Sequence, residues 1–243
     1  MRNQRFVARY YASDVVIWLS RLSLGLFILL SHTTGAHSAP SASKESIAHA
    51  RTSGLVAQGD AIASFKWSVE IKKPFGRARL QVEEFSGGVN LQEPGITAVL
   101  RARYEGVVRD NSKKISEFLS ARNLVTLHDS NEEVLVSLSG LSWPIEGGRQ
   151  FDFNVKDEHG SLTQRCTVLP MTNVSQVHAQ IPGVAFPIDC SGNGRYRGFK
   201  VAVKSRVWYF PKLGVFFHES DVIQSPLGQF ATQATIKEFE LLK

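Results

Sequence analysis

Apolar and polar residues alternate with period two from about residue 65 onward, and the alternation returns along most of the chain. Phe65, Trp67, Val69 and Ile71 alternate with Lys66, Ser68, Glu70 and Lys72, which predicts a half-buried strand. Lys73-Pro74-Phe75-Gly76 supplies a turn, and Ala78, Leu80 and Val82 alternate with Arg79, Gln81 and Glu83 in the return strand. After Ser86-Gly87-Gly88, Ile96, Ala98, Leu100, Ala102 and Tyr104 mark a third strand. Residues 110–122 are the one stretch with helical character: Ser112 or Asn111 would cap it, with Ile115, Phe118 and Leu119 at helical spacing. Strand signals resume at Leu124–Leu127, at Val134–Leu138, and at Phe151, Phe153 and Val155. Asp157–Gly160 reads as a hairpin loop into Leu162–Leu169, while Pro182-Gly183 and Ser191–Gly194 read as turns around Phe186, Ile188 and Cys190.

The clearest hairpin lies near the C-terminal end. Phe199, Val201, Val203, Val207 and Tyr209 share one face of a strand; Lys200, Lys204, Arg206, Trp208 and Phe210 share the other. Pro211-Lys-Leu-Gly214 turns the chain, and if Phe210 faces Val215, then Trp208 meets Phe217, Arg206 meets Glu219 and Lys204 meets Asp221. Phe230, Thr232, Ala234 and Ile236 change parity before Phe239 and Leu241, which predicts a bulge near Lys237-Glu238. Ten or more short strands with at most one or two short helices indicate a mainly β, antiparallel sandwich or barrel-like fold. No internal repeat points to a propeller or solenoid.

The N-terminal segment changes the picture of what folds. Arg2, Arg5, Arg9 and Arg21, the apolar run Leu22–Leu30 and the small residues Ala36-His37-Ser38-Ala39 follow the order of a cleavable export signal over residues 1–39. The alternative is an uncleaved anchor over Val15–Leu30; that run is short against the roughly 20 residues a span needs, and it contains Arg21. Residues 40–60 form a small, polar lead-in, and residues 61–243 form a single β domain, with 129–133 the place where two subdomains would divide. Loss of 1–39 removes four Arg and one Asp, so the formal charge falls from +6 to +3. The basic balance is thus partly a property of the leader, and no nucleic-acid motif accompanies it. The mature chain is expected in the periplasm or outside the cell, with no transmembrane span.

Export also changes the reading of the two cysteines. Cys166 and Cys190 most simply pair as a disulfide in an oxidising compartment, and closing that loop constrains the unfolded chain by about 3 kcal/mol. A catalytic thiol would need a nearby base, and only His178 lies between them in sequence.

Other chemistry is sparse. Gly192-x-Gly194-x-x-x-Gly198 departs from the dinucleotide fingerprint in spacing and precedes a strand, so it reads as a glycine-rich turn. The seven His show no paired ligand spacing, so no metal and no cofactor is expected; His218 falls beside Val207 on the hairpin. There is no Gly-x-Ser-x-Gly elbow, and Ser41-x-x-Lys44 lacks its companion motifs. Glu83-Glu84, Glu132-Glu133 and Asp157-Glu158 are adjacent on strands or loops and read as solvated groups. The sharpest binding candidate is the cationic and aromatic face Lys200, Lys204, Arg206 and Trp208, suited to an anionic glycan or lipid headgroup unless Glu219 and Asp221 neutralise it.

Leu141-Ser-Trp-Pro-Ile-Glu-Gly-Gly148, the two cysteines and Trp208-Tyr-Phe-Pro-Lys-Leu-Gly-Val215 together resemble uncharacterised exported bacterial β proteins that share a W-P-x-x-G-G motif and a W-Y-x-P-x-L-G hairpin. The likeness covers residues 134–243 and implies a β fold and an envelope location; it brings no activity and no catalytic residues. The chain thus reads as a secreted or periplasmic protein that binds an envelope lipid, glycan or protein. An envelope hydrolase whose site is set by geometry alone is the alternative.

Overall fold

The structure, a computed structural model of the chain, describes residues 48, 55, 63–74, 78–86, 99–107, 113–127, 135–157 and 159–242. Residues 1–39, read from sequence as an export signal, and the expected boundary near 129–133 lie outside them. Among the described residues, thirteen strands follow one another: β1 (Phe65–Lys72), β2 (Arg79–Ser86), β3 (Val99–Val107), β4 (Lys113–Ala121), β5 (Val125–Leu127), β6 (Leu135–Ser139), β7 (Gln150–Asp157), β8 (Gly160–Val168), β9 (Thr172–Asn173), β10 (Val184–Tyr196), β11 (Phe199–Phe210), β12 (Val215–Ser225) and β13 (Gly228–Leu241). A 3-10 turn, Val174–Gln176, separates β9 from β10. All pairings are antiparallel, in the order β5-β4-β3-β2-β1-β13-β12-β11-β10-β8-β7-β6, with the short β9 beside β10.

Two meanders, β1–β5 and β6–β13, therefore join through the β1–β13 pair into one sheet. Its ends, β5 and β6, do not pair, so the sheet is not closed into a barrel. It rolls over instead, in the manner of a sandwich. Phe65, Trp67, Val69 and Ile71 of β1 are buried as their alternation predicts, in one core with Phe151, Phe153, Ile188, Phe216 and Phe217 from the other meander.

The hairpin of β11 and β12 ends at the centre of this roll. Phe217 meets Trp67 edge-on, ring centroids 5.4 Å apart, while Tyr209 and Phe216 meet Trp143 at 5.4 and 6.4 Å. Both faces of the hairpin end are thus covered, so residues 207–210 and 215–217 are buried without alternation.

Arg122, in the turn between β4 and β5, fastens the roll. It is fully buried; its Nε donates to the Leu55 carbonyl at 2.8 Å and its Nη1 to the Gly214 carbonyl at 3.1 Å. The guanidinium lies over the Trp143 ring, 4.1 Å from its centroid, and the Arg122 carbonyl accepts the Phe216 N–H at 2.9 Å. Arg122 and Asn123 both hold positive φ (52° and 56°), and the Asn123 side chain donates to the Phe216 carbonyl. A tight left-handed turn is what brings backbone and side chains of the same two residues onto one strand end.

Four expectations from the pattern are corrected. Residues 113–121 form strand β4 rather than a helix, paired with β3 and β5. Ile115, Leu119 and Ala121 share one strand parity, interrupted by Glu117, and a helix of one dozen residues has little stability of its own against two strand ladders. In β2 the apolar parity is inverted: Gln81, Glu83 and Phe85 are buried and Leu80 is 55% exposed. Register with β1 dictates this, because Glu83 lies opposite Trp67 and Phe85 opposite Phe65. Ser191–Gly194 is not a turn but the interior of β10; the turn is Arg197-Gly198, both at positive φ. In the late hairpin, Phe210 faces Val215 and Trp208 faces Phe217, but a bulge at Glu219 shifts the rest, so Arg206 meets Ser220 and Lys204 meets Val222.

Other features follow the pattern. The bulge in β13 leaves Lys237 without an opposed residue in the β1 register, since Ser68 pairs with Glu238 and Val69 with Ile236. Cys166 and Cys190 form a disulfide between directly opposed inward positions of β8 and β10. Nearby, the two strands approach too closely for side chains. A Cβ at Gly192 would overlap the Thr163 carbonyl oxygen, and one at Gly194 the Ser161 carbonyl oxygen. The Gly-x-Gly of β10 is therefore a packing device. Gly192→Ala is expected to lower stability in chemical denaturation by about 1–3 kcal/mol, since backbone rather than a flexible side chain must move; an unchanged midpoint would contradict the close approach.

Candidate functional site

Two concave regions contrast in size and chemistry. The first lies inside the roll. Cross-strand register aligns Cys166, Cys190, Ser205, Asp221 and Thr232 in one inward row across β8, β10, β11, β12 and β13. Ser205 Oγ donates to Asp221 Oδ1 at 2.6 Å, Gln164 Nε2 donates to Ser205 Oγ at 3.0 Å, and His218 Nε2 stands 2.8 Å from Asp221 Oδ1. The His218 contact is close but off the hydrogen-bond direction, and Asp221 Oδ2 makes no hydrogen bond.

Serine, histidine and aspartate together suggest a hydrolytic triad, but the order is wrong. A nucleophilic serine gives its proton to the histidine, which the carboxylate orients. Here Ser205 donates straight to Asp221, and His218 approaches the same oxygen from elsewhere. The adjoining cavity, walled by Leu124, Phe151, Phe153 and Phe216, measures about 30 Å³, room for a water but not for a substrate. The arrangement can tie three strands together; it has no space in which to do chemistry.

A second buried polar group lies between β1 and β2. Glu83, 1% exposed, accepts from Trp67 Nε1 at 2.7 Å and from Gln81 Nε2 at 2.9 Å. It is not the solvated carboxylate that its sequence context suggested. Burial pushes its pKa up from 4.5 to about 8, and the two donors only partly offset that. The acid is therefore neutral at pH 7.

The second concave region is on the solvent side of β10, β11 and β12: a shallow groove of about 550 Å³ lined by Asn193, Arg195, Lys200, Ala202 and Gln224 among others. This is a volume typical of ligand sites. It rearranges the face expected from sequence. Lys200 in the groove and Lys204 further along β11 are exposed, and neither has a carboxylate within ion-pair distance among the described residues. Arg206 instead pairs with Asp189 on β10, its Nη2 3.1 Å from Oδ2. Trp208 is only 8% exposed and takes no part. Asp221 points inward and Glu219 occupies the bulge, so the neutralisation expected across the hairpin does not arise.

Among the described residues, no group of three or more His, Cys, Asp or Glu is placed to hold a metal ion, and no helix is long and apolar enough to cross a membrane. The disulfide leaves no free thiol among them.

Sequence reasoning missed Gln164, Ser205, Asp221 and Glu83. For Gln164 and Ser205 the signal was present, a polar residue at a parity held by apolar ones, as Ser205 is between Val203 and Val207; Glu83 gave none, because it shares its parity with Arg79 and Gln81. Glu83 supplies a sharp test. Its raised pKa means that the native state holds a proton the unfolded chain releases, so stability is fullest below about pH 4.5 and falls until about pH 8. Glu83→Gln is expected to remove that slope and to stabilise by roughly 3 kcal/mol at pH 7. Parallel stability–pH profiles of the two proteins would exclude a neutral, buried Glu83. Comparison with known protein families, curated proteins and solved structures gave no match for this chain.

Proposed function

We propose that this is an exported, non-enzymatic binding protein of the cell envelope, with its ligand on the solvent face of β10–β12. A secretory leader, an intramolecular disulfide and a likeness to exported bacterial β proteins support the compartment. The observation that carries the binding reading is the contrast in volume. The interior cavity of about 30 Å³ is too small for a lipid or a sugar, while the cation-bordered groove outside is about 550 Å³. An apolar ligand held inside the β core, and hydrolysis at the buried Ser205–Asp221–His218 cluster, both lack the room they need.

The ligand is anionic on this reading, because Arg195 and Lys200 line the groove and Lys204 is exposed two residues further along β11 from Ala202 of its lining. Purified mature protein is expected to co-sediment with isolated bacterial envelopes at low salt and to be released as salt screens the contact. The Arg195→Glu/Lys200→Glu double variant, with wild-type thermal stability, is expected to stay in the supernatant. Co-sedimentation indifferent to both salt and charge reversal would refute the site; absence of any co-sedimentation would refute the function.

A further inference from the structure

Cross-strand register places the solvent-face side chains of β7–β13 in rows that run perpendicular to the strands. One row is Lys156, Ser161, Arg195 and Lys200 on β7, β8, β10 and β11. The next is Asn154, Thr163, Asn193, Ala202, Gln224 and Gln229, from β7 to β13, with no charge in it. The third is Asp152, Arg165, Ser191, Lys204 and Val222, in which Arg165 Nε pairs with Asp152 at 3.1 Å and Lys204 stands alone. Rows two residues apart along a strand are separated by about 7 Å, and neighbouring strands by about 4.8 Å. An uncharged lane of amides and hydroxyls therefore crosses six strands, about 24 Å, with Lys156, Arg195 and Lys200 along one border and Lys204 on the other.

We infer that this lane binds an extended acidic polysaccharide laid across the strands. The inference rests on the binding reading above and names its ligand class. Amides and hydroxyls offer both donors and acceptors, which match the alternating donor and acceptor character of sugar hydroxyls. Carboxylate or sulfate groups projecting sideways from the chain meet the bordering ammonium and guanidinium groups in charge-assisted hydrogen bonds. Lys156 and Arg195 stand two strands apart, about 10 Å, so a polymer with repeating charge contacts both at once and gains from multivalency.

The lane excludes other polyanions on physical grounds. Single-stranded nucleic acid needs aromatic side chains on which bases stack, and Tyr196 and Trp208 are buried. A lipid surface needs apolar side chains to enter it, and among the described residues the one large apolar side chain exposed beside the lane is Leu227, at 37%. Arg165 and Arg206, neutralised by Asp152 and Asp189, take no part.

The test compares four probes against the purified mature protein by calorimetry: polygalacturonate, a sulfated glycan (heparin), neutral amylose, and vesicles of mixed phosphatidylglycerol and phosphatidylcholine. One or both acidic glycans are expected to bind, with amylose and vesicles silent. Arg195→Ala and Lys200→Ala are each expected to weaken binding by about tenfold, the size of one lost charge-assisted contact. Asn193→Ala is expected to weaken it with no change in salt dependence, a result that a purely electrostatic surface would not give. Arg206→Ala, on the paired cation, is expected to change nothing. Binding to vesicles in place of the glycans, or silence of all four probes while envelope co-sedimentation persists, would overturn the polysaccharide and leave the binding reading standing. Loss of envelope co-sedimentation itself would overturn both.

Discussion

One buried guanidinium holds the roll closed. A charged side chain removed from water is tolerated only when its donors are taken up, and Arg122 is fully buried with donors committed to carbonyls of Leu55 and Gly214. Those two carbonyls belong to segments far apart in sequence, and the ring of Trp143 covers the cation from a third. The same residue's carbonyl receives the Phe216 N–H, so side chain and backbone act on the same strand end. Antiparallel meanders joined only through β1 and β13 have no intrinsic reason to fold face to face. The Arg122 turn supplies one, and it does so by binding the tip of the β11–β12 hairpin from which the rest of the core is built.

That closure is why the proposed binding surface lies outside the roll and not within it. The hairpin tip fills the roll with Tyr209, Phe210, Phe216 and Phe217 from one side, and Trp67 and Phe65 meet it from the other. The disulfide row then fixes β8 to β10 at the depth where Ser205 and Asp221 join β11 to β12. The cavity beside that row has space for a water. The solvent face, by contrast, carries long strands in regular register, so its side chains form rows rather than a scatter. Glu83 adds a separate property: a neutral acid against Trp67 ties the stability of the β1–β2 pair to pH.

Most strand positions (β4, read as a helix, and the middle of β10, read as a turn, excepted), the late bulge at Lys237, the Cys166–Cys190 bond and the mainly β class were legible because each depends on local alternation or simple pairing. What was not legible depends on what covers a face. Trp208 has the parity of Lys204 and Arg206, yet it is buried, because the continuous run from Val207 to Phe210 signals cover on both sides and alternation counts only one. A single extra residue at Glu219 dissolved both charge pairs expected across the hairpin, since register past a bulge is not recoverable from spacing. The inverted face of β2 followed from its partner, where Trp67 needed an acceptor and Glu83 was opposite. The proposed binding face was therefore half visible: Lys200 and Lys204 of the expected face are exposed, but Arg195 was hidden beside what looked like a turn.

The claim that Arg122 closes the roll is tested most directly by hydrogen exchange, amide by amide, in wild type and in Arg122→Met. The account predicts that the variant loses protection selectively in β3–β5 and at the Phe216 amide, while β8, β10 and the centre of β11 keep theirs behind the disulfide. Unchanged protection at Phe216, or a uniform loss across every strand, would contradict it.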